Sequence, residues 1–244
     1  MPVKLSPRLQ TALLYIRGSG VVADIGTDHA YLPISLCEQG ILTPATEGAI
    51  CAVAADINAG PVERAAIHIA TAGLSDRIVT VKTDGLCGLE QYEPSDVIIF
   101  GMGGELIASI LAASPWVARA GRRLVLQPMT HAADLRRYLL ETGWQITGET
   151  LSREGERIYQ TICADRSADG TTPAAVALTP AELWVGEACY RMQSEEQRAL
   201  FLDLIDKTVS VETAARNACR GAGRDTTEAD ALLDSLAALR ATVS

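Results

Sequence analysis

Short apolar runs alternate with helix-like segments along the first two thirds of the chain, and this rhythm constrains the fold most. Five apolar runs recur at intervals of roughly 20 to 30 residues: Gly20 to Ile25, Cys51 to Ala55, Arg77 to Val81, Asp96 to Phe100 and Arg122 to Gln127. The segments between them have helical patterns: Pro33 to Gln39, Pro61 to Ala72, Glu105 to Ala113 and His131 to Thr142. Continuous apolar strands joined by helices are typical of a parallel sheet covered on both faces. The pattern therefore predicts an α/β fold.

The alternation of apolar runs and helical segments ends at Gly143. Two strand-like stretches follow, Trp144 to Thr150 and Arg157 to Ala164, and the connection between them is short, polar and contains a glycine. Such a connection suits an antiparallel hairpin rather than another helical crossover. A parallel sheet that ends in an antiparallel hairpin is the layout of the Rossmann-like class I methyltransferase fold.

The C-terminal third has a different organisation. A linker-like patch, Asp165 to Pro180, is rich in Ser, Thr, Gly, Pro and Asp. Beyond it, apolar residues at helical spacing predict two helices, Glu195 to Ala218 and Thr227 to Ala241, which would form a helical hairpin. We therefore expect a catalytic sheet domain over residues 1–165 and a helical domain over residues 166–244.

Composition and charge limit the class of protein. The 244-residue chain is 48% hydrophobic and 21% charged, with a net charge of -9. It lacks both an apolar run near the roughly 20 residues of a membrane span and the apolar core of a signal peptide. Six scattered cysteines form no C-x-x-C pair, so we expect buried thiols in a cytoplasmic protein without membrane attachment. The acidic charge excludes a non-specific polyanion binder, so any nucleic-acid partner must be held at a focused site.

Acidic residues and glycines follow the ends of the first three predicted strands. Asp24 can accept a hydrogen bond from a ligand amine, while Gly26 lets the ligand approach the backbone. Asp56, about 30 residues further on, is placed for the ribose hydroxyls of a nucleotide-like ligand. Asp84 could accept a hydrogen bond from an adenine amino group, with Gly85 allowing close approach. Since parallel strands end at one edge of a sheet, we expect these residues to surround one ligand.

The fourth and fifth strands end at the same edge. The segment Gly101 to Gly104 holds three glycines in four residues and precedes a helix, so its backbone is free to line a pocket. Gln127 and Pro128 close the fifth strand and can reach the same cleft. These positions extend the predicted site across the sheet.

The loop after the first strand also carries Asp28 and His29, where a nucleotide-binding loop would have further glycines. They are the candidate chemical groups, although a histidine in such a place is more often a structural hydrogen-bonding partner. We interpret His68 and His131 as helix-surface residues. No histidine pair or other cluster has the spacing of metal ligands, and no Gly-x-x-x-x-Gly-Lys loop is present. We therefore expect no metal and no nucleoside triphosphate hydrolysis.

Four motifs stand in a fixed order and spacing. They are Asp24-Ile25-Gly26-Thr27-Asp28-His29-Ala30-Tyr31-Leu32-Pro33, Asp56-Ile57-Asn58-Ala59-Gly60-Pro61, Gly101-Met102-Gly103-Gly104 and Leu124-Val125-Leu126-Gln127-Pro128. Together they resemble the bacterial TrmK family of tRNA (adenine(22)-N1)-methyltransferases, and the likeness covers about Leu5 to Ala164. The resemblance implies S-adenosyl-L-methionine as cofactor and tRNA as the substrate that is methylated at N1 of an adenine.

The resemblance also implies a role for each motif. Contacts with the cofactor are expected from Asp24, Gly26, Thr27, Asp56, Ile57, Asp84, Gly85, Gly101, Met102 and Gly103. The expected catalytic residues are Asp28 and His29. Asp28 would stabilise the new positive charge on the adenine or accept a proton from its exocyclic amine. His29 could also orient or stack on the flipped base. Contacts with the substrate are expected from Tyr31, Gly104, Gln127, Pro128, Arg8 and Arg136.

The C-terminal part is acidic, so its sequence does not decide which substrate is methylated. Residues 165–244 hold eight Lys and Arg against thirteen Asp and Glu, which makes a poor clamp for phosphate. Better candidates for phosphate contact are Arg8, Arg17, Arg122, Arg123, Arg136 and Arg137. Two alternatives stay open: a methyltransferase for another RNA or a small molecule, and a non-catalytic S-adenosylmethionine-binding protein. We expect a monomer or a weak homodimer.

Overall fold

A seven-stranded sheet forms the centre of the computed structural model, which describes residues 3–169, 177–186 and 194–243. The strands are β1 (Val21–Ile25), β2 (Ala52–Asp56), β3 (Ile78–Lys82), β4 (Pro94–Met102), β5 (Arg123–Pro128), β6 (Gln145–Glu154) and β7 (Arg157–Asp165). Their order is β3-β2-β1-β4-β5-β7-β6. The first five pair in parallel, whereas β7 lies antiparallel between β5 and β6. The predicted parallel sheet with a terminal antiparallel hairpin is confirmed.

Helices connect and flank the strands. In the described ranges the α-helices are α1 (Pro7–Gln10), α2 (Tyr31–Glu38), α3 (Ala59–Thr71), α4 (Gly104–Ala112), α5 (Ala132–Glu141), α6 (Pro180–Val185), α7 (Glu195–Gly221) and α8 (Thr227–Val243). Short 3-10 helices span Thr11–Leu14, Leu89–Tyr92 and Pro115–Ala118. The four predicted helices, observed as α2, α3, α4 and α5, begin and end within two residues of their predicted bounds. None of the described helices is long and apolar enough to cross a membrane.

Strand β4 shows why the sequences of the parallel strands are continuous apolar runs. Ile98 and Phe100 pack into a cluster with residues of α2 and α3. Val97 and Ile99, which point the other way, pack into a second cluster with residues of α4 and α5. Because successive side chains of a strand alternate between faces, a sheet covered on both sides buries every residue of its central strands.

The C-terminal helices pack against β6 and form the predicted helical hairpin. Leu151 of β6 shares a core with Phe201 of α7 and Leu236 of α8. The side chain of Gln197 accepts from the Leu151 N–H and donates to the Leu151 carbonyl, both at 2.9 Å. These two bonds fix the start of α7 on the outermost strand of the sheet.

Helix α6 is an element that the sequence pattern missed. The Thr179 side chain accepts from the Glu182 N–H at 3.2 Å, and the Glu182 carboxylate accepts from the Thr179 N–H at 2.9 Å. This capping box starts the helix at Pro180, the last residue of the predicted linker. With six residues, α6 is too short to show a helical period, and it is held by packing on α5 and α8.

The cysteines follow the prediction only in part. Cys37, Cys51 and Cys163 are buried, Cys219 is half-buried, Cys87 is exposed, and Cys189 lies outside the described residues. The expectation of buried thiols is therefore wrong for Cys87.

Candidate active site

The ends of β1, β2 and β4 meet at one edge of the sheet, as predicted. The N–H groups of Gly26 and Thr27 donate to the Ala55 carbonyl at 2.8 and 3.0 Å, which ties the loop after β1 to the end of β2. Gly26 has a φ of +77°, and a Cβ there would lie 2.4 Å from Cε of Met102, the last residue of β4. Residues of two motifs, and the residue directly before a third, therefore lie side by side.

Asp24 is a buried acid at this edge, with 8% of its surface exposed. Burial raises the pKa of its carboxyl group to about 6, although a hydrogen bond with Thr27 opposes the rise. Within the described ranges, no Lys, Arg or His forms an ion pair with it. An ionised carboxylate that is buried without a cationic partner is stabilised when a positively charged group of a ligand binds beside it. Asp24 is therefore suited to bind the ammonium group of a ligand.

Asp56 and Asp84 end neighbouring strands and are both accessible. Asp56 is half-buried at the end of β2, followed by the exposed side chain of Ile57. The Thr83 N–H donates to the Asp56 carbonyl at 3.0 Å, so the exposed Asp84 follows closely in space. Gly85 has a φ of +55°, a conformation that favours glycine and turns the chain back after β3.

Gly101 interrupts the ladder between β4 and β5. The pairing register shifts between Phe100 and Met102, which leaves Gly101 as a bulge with a φ of +80°. A Cβ at Gly101 would lie 3.3 Å from Nη1 of Arg8. The bulge therefore gives the Arg8 side chain room at the edge of the site.

Gly104 has a different role from the one predicted. It is buried, and a Cβ there would lie 2.2 Å from the His131 carbonyl oxygen. Its N–H donates to the Thr130 carbonyl at 2.8 Å. The structure thus contradicts a substrate contact of Gly104, because this residue allows the start of α4 to pack against the start of α5. Gly103, one residue earlier, is the N-cap of α4 and stays half-exposed.

Arg8 reaches the site edge from α1. Its Nη1 donates to Oε1 of Gln127 at 3.0 Å, and its guanidinium lies over the Tyr159 ring, 5.6 Å from the centroid. Gln127 is fully buried, and its Nε2 donates to the carbonyl of Pro128, which is also buried. The predicted direct substrate contact of Gln127 is therefore corrected, because Gln127 holds the half-exposed Arg8. Pro128 is buried at the end of β5 but lines a groove that begins there, so its substrate contact stays a prediction.

Arg136 does not face the site. It is fully buried, and its guanidinium forms an ion pair with the equally buried Glu149, with Nη2 2.6 Å from Oε1. It also donates to the Leu183 carbonyl at 2.8 Å and to Oε1 of Gln160 at 2.7 Å. The prediction that Arg136 contacts substrate is wrong, because the side chain joins α5, β6, β7 and α6 inside the protein.

Four other candidate arginines are paired with carboxylates. The pairs are Arg17 with Asp96, Arg122 with Glu93, Arg123 with Asp165 and Arg137 with Asp134. The first three lie near the amino ends of β4 and β5, at the edge opposite the site. Of the six arginines predicted for phosphate contact, Arg8 lies at the site, and Arg137 lines a groove that extends from the end of β5 to α7.

Asp28 is held from two sides at the site edge, with 61% of its side chain exposed. Its Oδ1 lies 2.5 Å from Nη2 of Arg64, and its Oδ2 lies 3.2 Å from Nε2 of His29. The hydrogen bond from Arg64 holds the pKa of the Asp28 carboxyl group below its ordinary value. Asp28 is therefore ionised at neutral pH and can stabilise a positive charge on a ligand.

Three rings stack beside this carboxylate. His29, Tyr31 and His68 have centroid separations of 4.9 to 5.3 Å and interplanar angles of 10° to 22°. Nδ1 of His68 donates to the His29 carbonyl oxygen at 3.2 Å. Nδ1 of His29 is buried and has no hydrogen-bond partner in the described part of the chain. The exposed Tyr31 offers an aromatic face on which a base can stack.

Arg64 and His68 are the contacts that sequence reasoning missed. His68 is half-buried in the ring stack, so its interpretation as a helix-surface residue is incomplete. A signal was available, because residues four apart on a helix share one face. Helix α3 follows β2, the neighbour of β1, and this places that face beside the loop after β1.

Three exposed side chains form one further cluster of candidate metal ligands. The ligand atoms of Glu105, His131 and Asp134 all lie within 4.8 Å of one another. Sequence spacing did not predict this group, because Glu105 starts α4 whereas the other two lie at the start of α5. Clustered acidic groups at a surface are common without a metal, and the group supports no assignment.

Comparison with known proteins identifies the family. A family model described as a methyltransferase domain matches residues 5–162. The tRNA (adenine(22)-N(1))-methyltransferase of Bacillus subtilis (strain 168) is 34% identical over 200 residues, which cover 82% of this chain and 79% of that protein. The chain belongs to the tRNA (adenine(22)-N1)-methyltransferase family. The resemblance of the four motifs to that family is confirmed.

Two solved structures share the fold over almost the whole chain. TrmK of B. subtilis, an M1A22 tRNA methyltransferase, has 29% identity and a TM-score of 0.76, covering 99% of this chain and 97% of that one. Sp1610 of Streptococcus pneumoniae, solved in complex with S-adenosyl-L-methionine, has 26% identity and a TM-score of 0.76. That match covers 94% of this chain and 100% of the other. The family fold therefore includes the C-terminal helices as well as the sheet.

Proposed function

We propose that this chain transfers a methyl group from S-adenosyl-L-methionine to N1 of adenine 22 in tRNA. The observation that carries the proposal is the meeting of three strand-end motifs with an ionised Asp28 at one edge of the sheet. The identity of 34% with the B. subtilis enzyme supports the same reaction.

The residues at this edge fit S-adenosyl-L-methionine. Asp24 offers a buried carboxylate for the methionine ammonium group, and Gly26 lets the Met102 side chain pack against the loop, where a Cβ would lie 2.4 Å from Met102 Cε. Asp56 would accept hydrogen bonds from the ribose hydroxyls. Asp84 would accept one from the adenine amino group, with Gly85 allowing close approach. The remaining proposed contacts are Thr27, Ile57, Gly101, Met102 and Gly103.

The chain's own residues would position the adenine and stabilise its charge. When bound, the cofactor supplies a sulfonium methyl group that is electrophilic without acid catalysis. His29 and Tyr31 would hold the extruded adenine by stacking, so that the lone pair of N1 faces the methyl group. Asp28 would stabilise the positive charge that the adenine ring acquires, and could accept a hydrogen bond from the exocyclic amine. Positioning and electrostatics thus account for the catalysis.

A groove beside the site supports RNA as the substrate rather than a small molecule. It extends from the end of β5 to α7, and its lining includes Tyr159, Trp184, Arg157 and Lys207. Arg8 lies over Tyr159 where the groove meets the site. Aromatic faces stack on bases, and cations contact phosphates. Three acidic residues also line the groove, so binding would depend on specific contacts rather than on net charge.

The reaction is tested with purified protein, labelled S-adenosyl-L-methionine and unmodified tRNA transcripts that carry either adenine or guanine at position 22. We expect 1-methyladenosine in the adenine transcript and no transfer to the guanine transcript. Cofactor binding without transfer to any RNA would contradict the proposal. Methylation at another position would support the alternative of a different RNA target.

We further propose that the protein acts in the cytoplasm as a monomer or weak homodimer and needs no metal. Light scattering across a range of protein concentrations measures the oligomeric state. Treatment of the protein with a chelator, followed by removal of the chelator, is expected to leave methyl transfer unchanged.

A further inference from the structure

We propose that Arg64 and His68 of α3 are positioning residues that fix Asp28 and His29 for methyl transfer. This inference rests on the proposed function, because it assigns the two residues to the same reaction. Neither residue belongs to the four sequence motifs, and each is brought to the loop after β1 by the packing of α3 beside α2.

Arg64 restrains a carboxylate that is otherwise free to move. With 61% of its side chain exposed, Asp28 would populate several rotamers in water. The 2.5 Å contact between Arg64 Nη2 and Asp28 Oδ1 holds one oxygen, and His29 Nε2 lies near the other. The guanidinium also favours the ionised carboxylate. Asp28 is ionised at neutral pH with or without this contact, so the role of Arg64 is to hold the carboxylate in one orientation.

His68 restrains the backbone and the ring of His29. Its Nδ1 donates to the His29 carbonyl oxygen, so the loop after β1 is tied to α3 by a direct hydrogen bond. The ring of His68 also stacks on the rings of His29 and Tyr31. Packed on His68, the two rings proposed to hold the base have less freedom to rotate.

Helix α3 links this arrangement to the cofactor site. It begins three residues after Asp56, whose Oδ1 accepts from the Asn58 N–H at 2.7 Å immediately before the helix. The residue proposed to hold the ribose and the residues proposed to fix Asp28 and His29 therefore belong to one short segment. A helix held at both points sets the distance between cofactor and base.

The Arg64 contact is tested by Arg64→Gln, with Glu63→Gln as the matched control. Glu63 is an exposed neighbour on α3 that makes no side-chain hydrogen bond or ion pair in the described structure. We expect R64Q to lower kcat about tenfold, with the cofactor Kd and the unfolding midpoint unchanged. R64K should restore most of the loss because it keeps the charge, and E63Q should match the wild type. Wild-type kcat in R64Q would overturn the proposal.

A double-mutant cycle separates positioning of Asp28 from any other effect of Arg64. If Arg64 acts through Asp28, R64Q should change kcat by less than about twofold when Asp28 is already Asn. An equal loss in both backgrounds would overturn the proposal.

The role of His68 is tested by His68→Gln, which removes the ring. We expect about threefold lower kcat with unchanged cofactor affinity. An unchanged kcat in H68Q would overturn the part assigned to His68.

Failure of the proposed function gives a different result from failure of the positioning role. A wild-type protein that methylates no tRNA contradicts the function. The positioning role is then decided by crystal structures of the wild type and R64Q. We expect one Asp28 rotamer in the wild type and a displaced or multiple one in R64Q. The same single rotamer in both would overturn the positioning role.

Discussion

At the scale of residues, the loop after β1 gives two acids opposite environments. Asp24 is buried, and burial raises its pKa to about 6. Asp28, four residues later, is exposed, and the hydrogen bond from Arg64 lowers its pKa. Asp24 is buried without a cation and suits a ligand ammonium, whereas the exposed, ionised Asp28 is held by the Arg64 guanidinium beside the proposed place of the cationic adenine. Two acids with separated pKa values are typical of sites where each has its own role.

Asp24→Asn is expected to weaken the cofactor while stabilising the unliganded protein. The folded pKa of Asp24 lies above its ordinary value of 3.8, so its contribution to stability is fully present below pH 3.8. That contribution is lost as the pH rises through about 6, because the buried carboxyl group must then ionise. The loss amounts to at most about 3 kcal/mol.

Urea unfolding of both proteins between pH 4 and pH 8 measures this difference. D24N should gain stability relative to the wild type as the pH rises, and should bind the cofactor at least about tenfold more weakly at neutral pH. A stability difference that does not change with pH would contradict the burial argument. Unchanged cofactor affinity would contradict the proposed ammonium contact.

At the scale of elements, the strand ends and the helices that follow them are built as units. Strand β4 ends in a bulge at Gly101 that makes room for Arg8, and α4 starts on Gly104 against the carbonyl of His131. Strand β2 ends at Asp56, and α3 carries Arg64 and His68 back to the neighbouring loop. In each unit the end of the strand lies at the site, and the helix that follows contacts a neighbouring segment of the chain.

Gly104→Ala should destabilise the protein, whereas Gly221→Ala should not. A Cβ at Gly104 would meet a backbone oxygen at 2.2 Å, which cannot move aside as a flexible side chain would. We expect a loss of about 1 to 3 kcal/mol. Gly221, at the end of α7, has open space around it, and alanine there should be neutral or stabilise by up to about 1 kcal/mol. Equal unfolding midpoints for the two variants would contradict the packing role of Gly104.

At the scale of the whole molecule, hydrogen bonds from several side chains attach the C-terminal helices and α6 to the rest of the protein. Gln197 bonds both backbone groups of Leu151, and buried Arg136 donates to the carbonyl of Leu183 in α6. The groove lined by Trp184 lies along this junction. A stable junction would keep the groove in a fixed relation to the site. The division at residues 165 and 166 stays a prediction.

Arg136→Met should destabilise the folded protein rather than weaken tRNA binding selectively. It would leave Glu149 buried without its cationic partner, which typically costs about 3 to 5 kcal/mol. The double variant with Glu149→Leu should recover most of that loss. Arg137→Met, which removes an exposed pair with Asp134, should cost at most about 1 kcal/mol. Denaturant unfolding checks all three, and a change below about 1 kcal/mol in R136M would contradict the account.

Much of this architecture can be predicted from the sequence because it depends on local patterns. Apolar runs place the strands, and parallel strands end at one edge, so Asp24, Asp56 and Asp84 are expected together. Whether a charged side chain is buried cannot be predicted from such local patterns. Arg136 looks like any surface arginine until Glu149 and the carbonyls of α6 surround it. Arg64 and His68 gain meaning only from the tertiary packing of α3 beside the loop after β1.

The central claim is that one loop both binds the cofactor and carries the group that stabilises the cationic adenine. The most direct test is the single-turnover rate of 1-methyladenosine formation at position 22 in Asp28→Ala, with the cofactor Kd measured on the same preparation. We predict an unchanged Kd and a rate lowered about 100-fold or more. A D28A protein that binds the cofactor and methylates the tRNA at the wild-type rate would contradict the claim.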